Sequence, residues 1–499
     1  MGCRSGSRIM LIALPWLLMT GCGPLPFPAV HSQQPAADPY QPYRASMQPW
    51  MPARPEEIGT LPRHALRAEL DGAGERLSGD MLVSVPNTSR DAWPDLVFHL
   101  YPNTPHDQCM MAVSQVELDG QPVATKMIED GTGLRVVLPA HLPPGQEVEV
   151  TMRFNVTLPH GSDGHTLFGW EDDILSPPGF YPALAVYEEA SMGETGRWLA
   201  QVPPLFADVL FNSAAWYELE FTAPAALTVI ASSTTLQMAD NQDGTWTRHI
   251  VGGPFRDIAV MASDRWHSVS DTGAGAMVTS YYPADEPSAG QAALFHAAAA
   301  LRLYSDLWGG YPYTEFDVVA APLGSRGMEY SGLVTVGEDM YSRFRQQLAF
   351  LVAHETAHQW WYVQVGNDPL AHPWLDEGLA EYAAFDYYRG VYGQGAAEAL
   401  LSTRWLMPME ALSAKGAAGQ VDQPADAVNA ADYELLAYGR ASLFFNALRE
   451  RLGDELYLEV LRTYVETYRW QVATPQRFLR LAQNVSGVNL NPLAESWLR

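Results

Sequence analysis

The sequence predicts a multi-domain protein: an N-terminal all-β, sandwich-like domain over residues 60–275, then a mainly α-helical domain over 276–499. Three observations carry this. Apolar and polar residues alternate along several short runs before residue 270. After Pro283 the pattern changes to alanine-rich, helix-favouring stretches. Within those lies His354-Glu355-Thr356-Ala357-His358, followed after an 18-residue spacer by Glu377.

In the first part, Val148, Val150, Met152, Phe154 and Val156 alternate with polar residues, and Tyr217, Leu219 and Phe221 repeat that period. A period of two gives a strand one face in a core and one in water. Turn signals fall between such runs, at Asp119-Gly120, Glu129-Asp130-Gly131 and Asp243-Gly244, where these residues tolerate positive φ. In the second part, Ala289 to Leu307 favours helix through its alanine content. Phe316 to Ala320 reads as a strand, and Arg343 to Val365, Trp374 to Tyr388 and Tyr433 to Leu452 read as helices.

Residues four apart share one helix face, so His354 and His358 can offer their imidazoles to one metal ion. Glu355 points away by roughly 100° and stands beside the ion as a base. Glu377, in Trp374-Leu375-Asp376-Glu377-Gly378, is the third ligand. The breakers Gly366-Asn367-Asp368-Pro369 and Pro373 allow a second helix to fold back and present it. Three protein ligands with one open position are the pattern of a catalytic zinc, whereas structural zinc is closed by four. Trp360, Trp361 and Trp374 are read as core packing, and His372 as a loop histidine. Glu381, one turn beyond Glu377, either bonds a ligating histidine or lies on a solvated face.

Composition narrows the partners. A net charge of −27 argues against nucleic acid, because phosphate binding needs clustered Lys and Arg. Of three cysteines, Cys3 and Cys22 lie near the N-terminus, so Cys109 alone cannot build a disulfide framework. Arg4 and Arg8 precede a short apolar run, Ile9 to Met19, which is too brief to span a bilayer and reads as an export signal. It ends in Leu18-Met19-Thr20-Gly21-Cys22, which resembles a bacterial lipobox and implies a lipid on Cys22. Residues 1–22 are then a lipoprotein signal peptide and 23–59 a Pro- and Gln-rich tether, from which Tyr40, Tyr43 and Trp50 can dock on the body. The expected location is the cell envelope, outside the cytoplasm.

Three motifs, in order, resemble the gluzincin zinc aminopeptidases of the aminopeptidase N and leukotriene hydrolase type. Gly327-Met328-Glu329-Tyr330 is similar to the exopeptidase motif Gly-x-Met-Glu-Asn. His354 to His358 with Glu377 matches the zinc motif, and Tyr438 opens a segment similar to tyrosine-x-Lys-Gly-Ala. The resemblance implies a thermolysin-like catalytic domain, one zinc ion per chain, peptide substrates and removal of N-terminal residues. By it, Gly327, Met328 and Glu329 bind substrate, with Glu329 anchoring the α-ammonium; Glu355 is the base, and Tyr438 donates to the oxyanion. Tyr433 is a nearby competitor for the tyrosine role.

The chain departs from the pattern in three places. Tyr330 replaces the asparagine, Asp376 stands where asparagine is common, and the sequence after Tyr438 leaves no room for a large C-terminal helical domain. The cleft is therefore expected to be open. No second acidic anchor from the β domain is evident. Two other readings stand beside the aminopeptidase: an endopeptidase or non-peptide hydrolase on the same zinc, and an inactive scaffold. The intact Glu355 argues against the last, and Glu329 against the first two.

Overall fold

The computed structural model describes residues 40–52, 58–104, 111–161, 168–189, 196–202, 204, 206–207, 210–323, 326–413 and 419–498. Cys3, Cys22, Cys109, the export signal and residues 23–39 lie outside them.

The alternating runs are strands with the expected faces. In Glu147–Thr157, Val150, Met152, Phe154 and Val156 are buried, as are Tyr217, Leu219 and Phe221 in Ala215–Pro224. Both belong to an eight-stranded sheet whose centre pairs Ala215–Pro224 in parallel with Arg63–Leu70, then antiparallel with Arg76–Pro86 and Glu147–Thr157. Asp119 and Gly120 form a two-residue hairpin turn, both at positive φ, as right-handed strand twist requires. Two four-stranded sheets and a two-stranded one complete this half among the described residues.

The expected boundary at 275/276 falls inside a hairpin. Trp266–Gly273 and Ala276–Pro283 pair with each other, and the second continues in parallel onto Glu315–Ala321. A five-stranded sheet results, with Leu333–Gly337 next and Gly327–Tyr330 as its outermost strand. The turn at Ala274-Gly275, both at positive φ, therefore lies within the catalytic half. Part of the expected tether is likewise integral. Tyr43, Met47 and Met51 are buried against Trp216, Val251 and Trp470, and the Gln48 amide donates to Tyr313 O at 2.9 Å.

The helices cover one side of that sheet. Pro287–Trp308 is the alanine-rich helix, and its small residues Ala293, Ala297, Ala300 and the aromatic Tyr304 are buried. The Tyr304 hydroxyl lies 3.1 Å from both Ala353 O and Ala383 O, so it bridges the two helices that carry the metal residues. Those helices are Arg345–Ala357 and Trp374–Tyr392. Gly378 permits the second to cross Ala441–Leu452 closely; a Cβ there would sit 2.5 Å from that of Ala441.

The first of these helices is shorter than the expected 343–365. It stops at Ala357, with His358 as its C-cap, because tertiary contacts override local propensity. Tyr362 has φ 135°, its hydroxyl donates to Asp257 at 2.6 Å and its carbonyl accepts from Arg256. Both partners come from the β half, so the chain is pulled out of helical geometry just past the metal motif. Trp360, Trp361 and Trp374 are core residues, as read from sequence.

Candidate metal centre and active site

His354 and His358 lie one turn apart, with Nε2 atoms separated by 3.2 Å. Glu377 Oε2 approaches them at 3.4 and 3.5 Å. All three residues are buried. Glu377 Oε2 accepts no hydrogen bond among the described residues, although it has no access to water. A buried, unsatisfied carboxylate oxygen facing two imidazole nitrogens costs free energy until something fills the gap. The donor set, two nitrogens and one carboxylate oxygen converging on one point, fits a zinc ion with an open fourth position.

The surroundings fix these ligands. His358 Nδ1 is 2.9 Å from Trp361 O, so Nε2 is left for the metal. His354 Nδ1 is 3.2 Å from Glu381 Oε2, which settles Glu381 as the buried partner of a ligating histidine. Glu381 is itself held by Arg404 at 2.5 Å and by the Trp405 indole N–H at 2.9 Å. Arg404 also stacks over Phe350 at 3.8 Å, and Phe350 stacks on His354. Burial works to raise the Glu381 carboxyl, yet the Arg404 charge and the His354 contact bring it down to about 2, so it stays ionised. Replacing Glu381 by Ala is expected to weaken zinc binding by about 10- to 100-fold, read by competition with a chelator.

Glu355 and Glu329 occupy the other side of His358, and these three residues form a second close group of potential ligand atoms. Burial is the main cause that raises Glu355 to about 7 and Glu329 to about 8. Two desolvated carboxyls ionise more readily once a cation is beside them, so the pair favours a cationic ligand. Gly327 lies directly beneath Glu355, and any Cβ there would fall inside the Glu355 carboxylate. Met328 and Tyr330 are buried beneath the strand. Asp376 accepts from the Asn367 amide and the Glu377 N–H, each at 3.0 Å. Burial raises it to about 7, which limits the extra negative charge expected near the metal.

Tyr438 donates its hydroxyl hydrogen to Glu377 Oε1 at 2.5 Å. It sits in a π-helical stretch, Glu434–Arg440, a geometry frequent at functional sites. A second π-helical stretch, Leu401–Leu406, presents Arg404 and Trp405. His372 bonds Asp422 at 2.6 Å and takes no part in the ligand set.

All of the expected site residues line or border one cavity of about 360 Å³. Sequence reading missed six of its walls: Phe206 from the β half, Arg326, Leu351, Arg404, Ala430 and Glu434. Phe206 packs edge-on to Tyr433, which packs in turn on Tyr438.

Residues 293–497 match the peptidase family M1 domain. Curated relatives include aminopeptidase M1-C of Oryza sativa subsp. japonica, 24% identical over 76% of this chain and 43% of its own length. Aminopeptidase N of Lactococcus lactis subsp. lactis is 27% identical over 41% of this chain and 26% of its own. This chain thus spans less than half the length of these relatives. An M1 zinc metallopeptidase structure from Deinococcus radiodurans shares the fold, with a TM-score of 0.66 and 21% identity across 88% of this chain and 93% of that one. Another structure of that enzyme, bound to a Tyr-Ser-Ala substrate, gives a TM-score of 0.67 at 20% identity over 88% of this chain and 94% of its own. The likeness of fold thus extends over both the β half and the helical half of this chain.

Proposed function

We propose that this chain is a zinc-dependent aminopeptidase that hydrolyses N-terminal residues from peptides. The observation that carries the reading is the buried Glu329 carboxylate, grouped with Glu355 and His358 beside the metal ligands. An α-ammonium is the cation that such a carboxylate would hold while the adjoining peptide bond lies at the base.

His354, His358 and Glu377 would hold zinc, which when bound supplies Lewis-acid activation of a carbonyl and of water near neutral pH. Glu355 takes the attacking water's proton and returns it to the leaving amine. Burial acts to raise its carboxyl above the usual carboxylate range, which favours uptake of that proton. Tyr438 turns its hydroxyl from Glu377 toward the oxyanion. Glu329 fixes the amine and thereby the register of cleavage.

The test compares matched peptides with free and acetylated N-termini, using zinc-loaded protein. Cleavage of the free-amine peptide alone is expected, with that selectivity reduced in Glu329→Gln. Equal cleavage of both peptides would replace this reading with an endopeptidase, and cleavage of neither with a non-peptide hydrolase or a scaffold.

The site is further proposed to work outside the cytoplasm, tethered through a lipid on Cys22. Support comes from the Arg4/Arg8, Ile9–Met19 and Leu18–Cys22 pattern. Cys22→Ser is expected to move the protein from membrane to soluble fractions; an unchanged membrane fraction would count against the anchor.

A further inference from the structure

Two arginines line the cavity, and they differ in their commitments. Arg404 is spent on Glu381 and on the face of Phe350. Arg326 is exposed, and among the described residues no side chain pairs with its guanidinium. A free cation in the cleft of a chain with 57 acidic and 30 Lys and Arg residues is an unusual placement. It creates a local attraction for anions against a repelling background.

Its position along the chain gives it a role. Glu329 and Gly327 lie on the outermost strand of the catalytic sheet, and Arg326 is the residue just before that strand begins. Glu329 marks the amine. Gly327 marks the base, because Glu355 lies against it, and so marks the scissile bond. Arg326 comes next, on the leaving-group side. At roughly 3.3 Å per residue along an extended chain, its Cα stands at most about 10 Å from that of Glu329. An extended di- or tripeptide spans roughly 7 to 10 Å from its amine to its carboxylate. The backbone is held there, since the Gly337 N–H donates to Arg326 O at 3.0 Å.

We propose that Arg326 receives the free α-carboxylate of a short peptide, making di- and tripeptides the favoured substrates of this site. The proposal rests on the aminopeptidase reading above. Glu329 and Arg326 then act as the two ends of a ruler. A longer peptide carries its carboxylate beyond Arg326 and gains nothing from it.

The test measures kcat/KM for Ala-Ala-Ala as the free acid, for its C-terminal amide, and for the amide of Ala-Glu-Ala. Wild-type protein is expected to prefer the free acid over the Ala-Ala-Ala amide by about 10- to 100-fold, the range of a charged hydrogen bond. The difference should reside in KM, because the contact is made equally in ground and transition states. Arg326→Gln should bring that ratio close to one, and Arg326→Lys should retain part of it. Melting temperature controls for folding. An unchanged ratio in Arg326→Gln, or a preference confined to the Glu-containing amide, would overturn the assignment while leaving the aminopeptidase reading intact. No turnover of any of the three peptides would overturn both.

Discussion

Gly327→Ala is expected to lower kcat by about 10²- to 10⁴-fold, the range lost when a positioned base is removed, while the fold and zinc content survive. The added Cβ would occupy the space of the Glu355 carboxylate. That group is the far end of a flexible side chain, so it can swing aside at little cost to stability. What it cannot do is swing aside and remain beside His354 and His358. Activity and stability therefore separate. The comparison is Glu355→Gln: if displacement is the cause, the two variants should have similar residual rates and the double variant no further loss. Near wild-type turnover in Gly327→Ala would mean that Glu355 works from a different position. A large fall in melting temperature would instead make Gly327 a structural residue. In the expected outcome the motif glycine, named from sequence as substrate-binding, acts through the base it lies under.

The sequence revealed those parts of the site that obey local rules. His354 and His358 follow from helical periodicity; the same four-residue step from Glu377 left Glu381 open between a ligand partner and a solvated face, and the contact at His354 Nδ1 decides it. Strand faces were legible because a period of two survives in isolation, as at Val150 to Val156. What was not legible depends on distant residues. Arg404 and Trp405 reach Glu381 only because Leu401–Leu406 is π-helical, which no 3.6-residue pattern announces. The early end of the metal helix is set by Asp257 and Arg256, some hundred residues upstream, acting on Tyr362. Phe206 reaches the cleft from the other half of the molecule, where nothing near it in sequence signals a site. Docking of Tyr43 and Met47 was open from composition alone, since a Pro-rich segment looks the same whether or not its aromatics find a groove.

Tyr438→Phe is expected to lower kcat by about 10²- to 10³-fold, near 3 to 4 kcal/mol of lost oxyanion stabilisation, with KM little changed. The hydroxyl is the only atom removed, and its hydrogen bond to Glu377 Oε1 shows that it already reaches the metal's ligand shell. In that resting contact it steadies a ligand, so a small loss of zinc affinity should accompany the loss of rate. A contribution made only in the transition state appears in kcat, whereas a ligand-steadying role appears in metal affinity. Measuring both on one variant assigns the tyrosine. Tyr433→Phe is the control, because its ring packs against Tyr438 at 6.0 Å within the same pocket. Removing that hydroxyl leaves the ring packing in place and should change kcat by no more than a few-fold. If Tyr433→Phe proves as damaging as Tyr438→Phe, the donor has been misassigned. The π-helical turn would then serve to aim Tyr433, with Tyr438 left as a brace on Glu377.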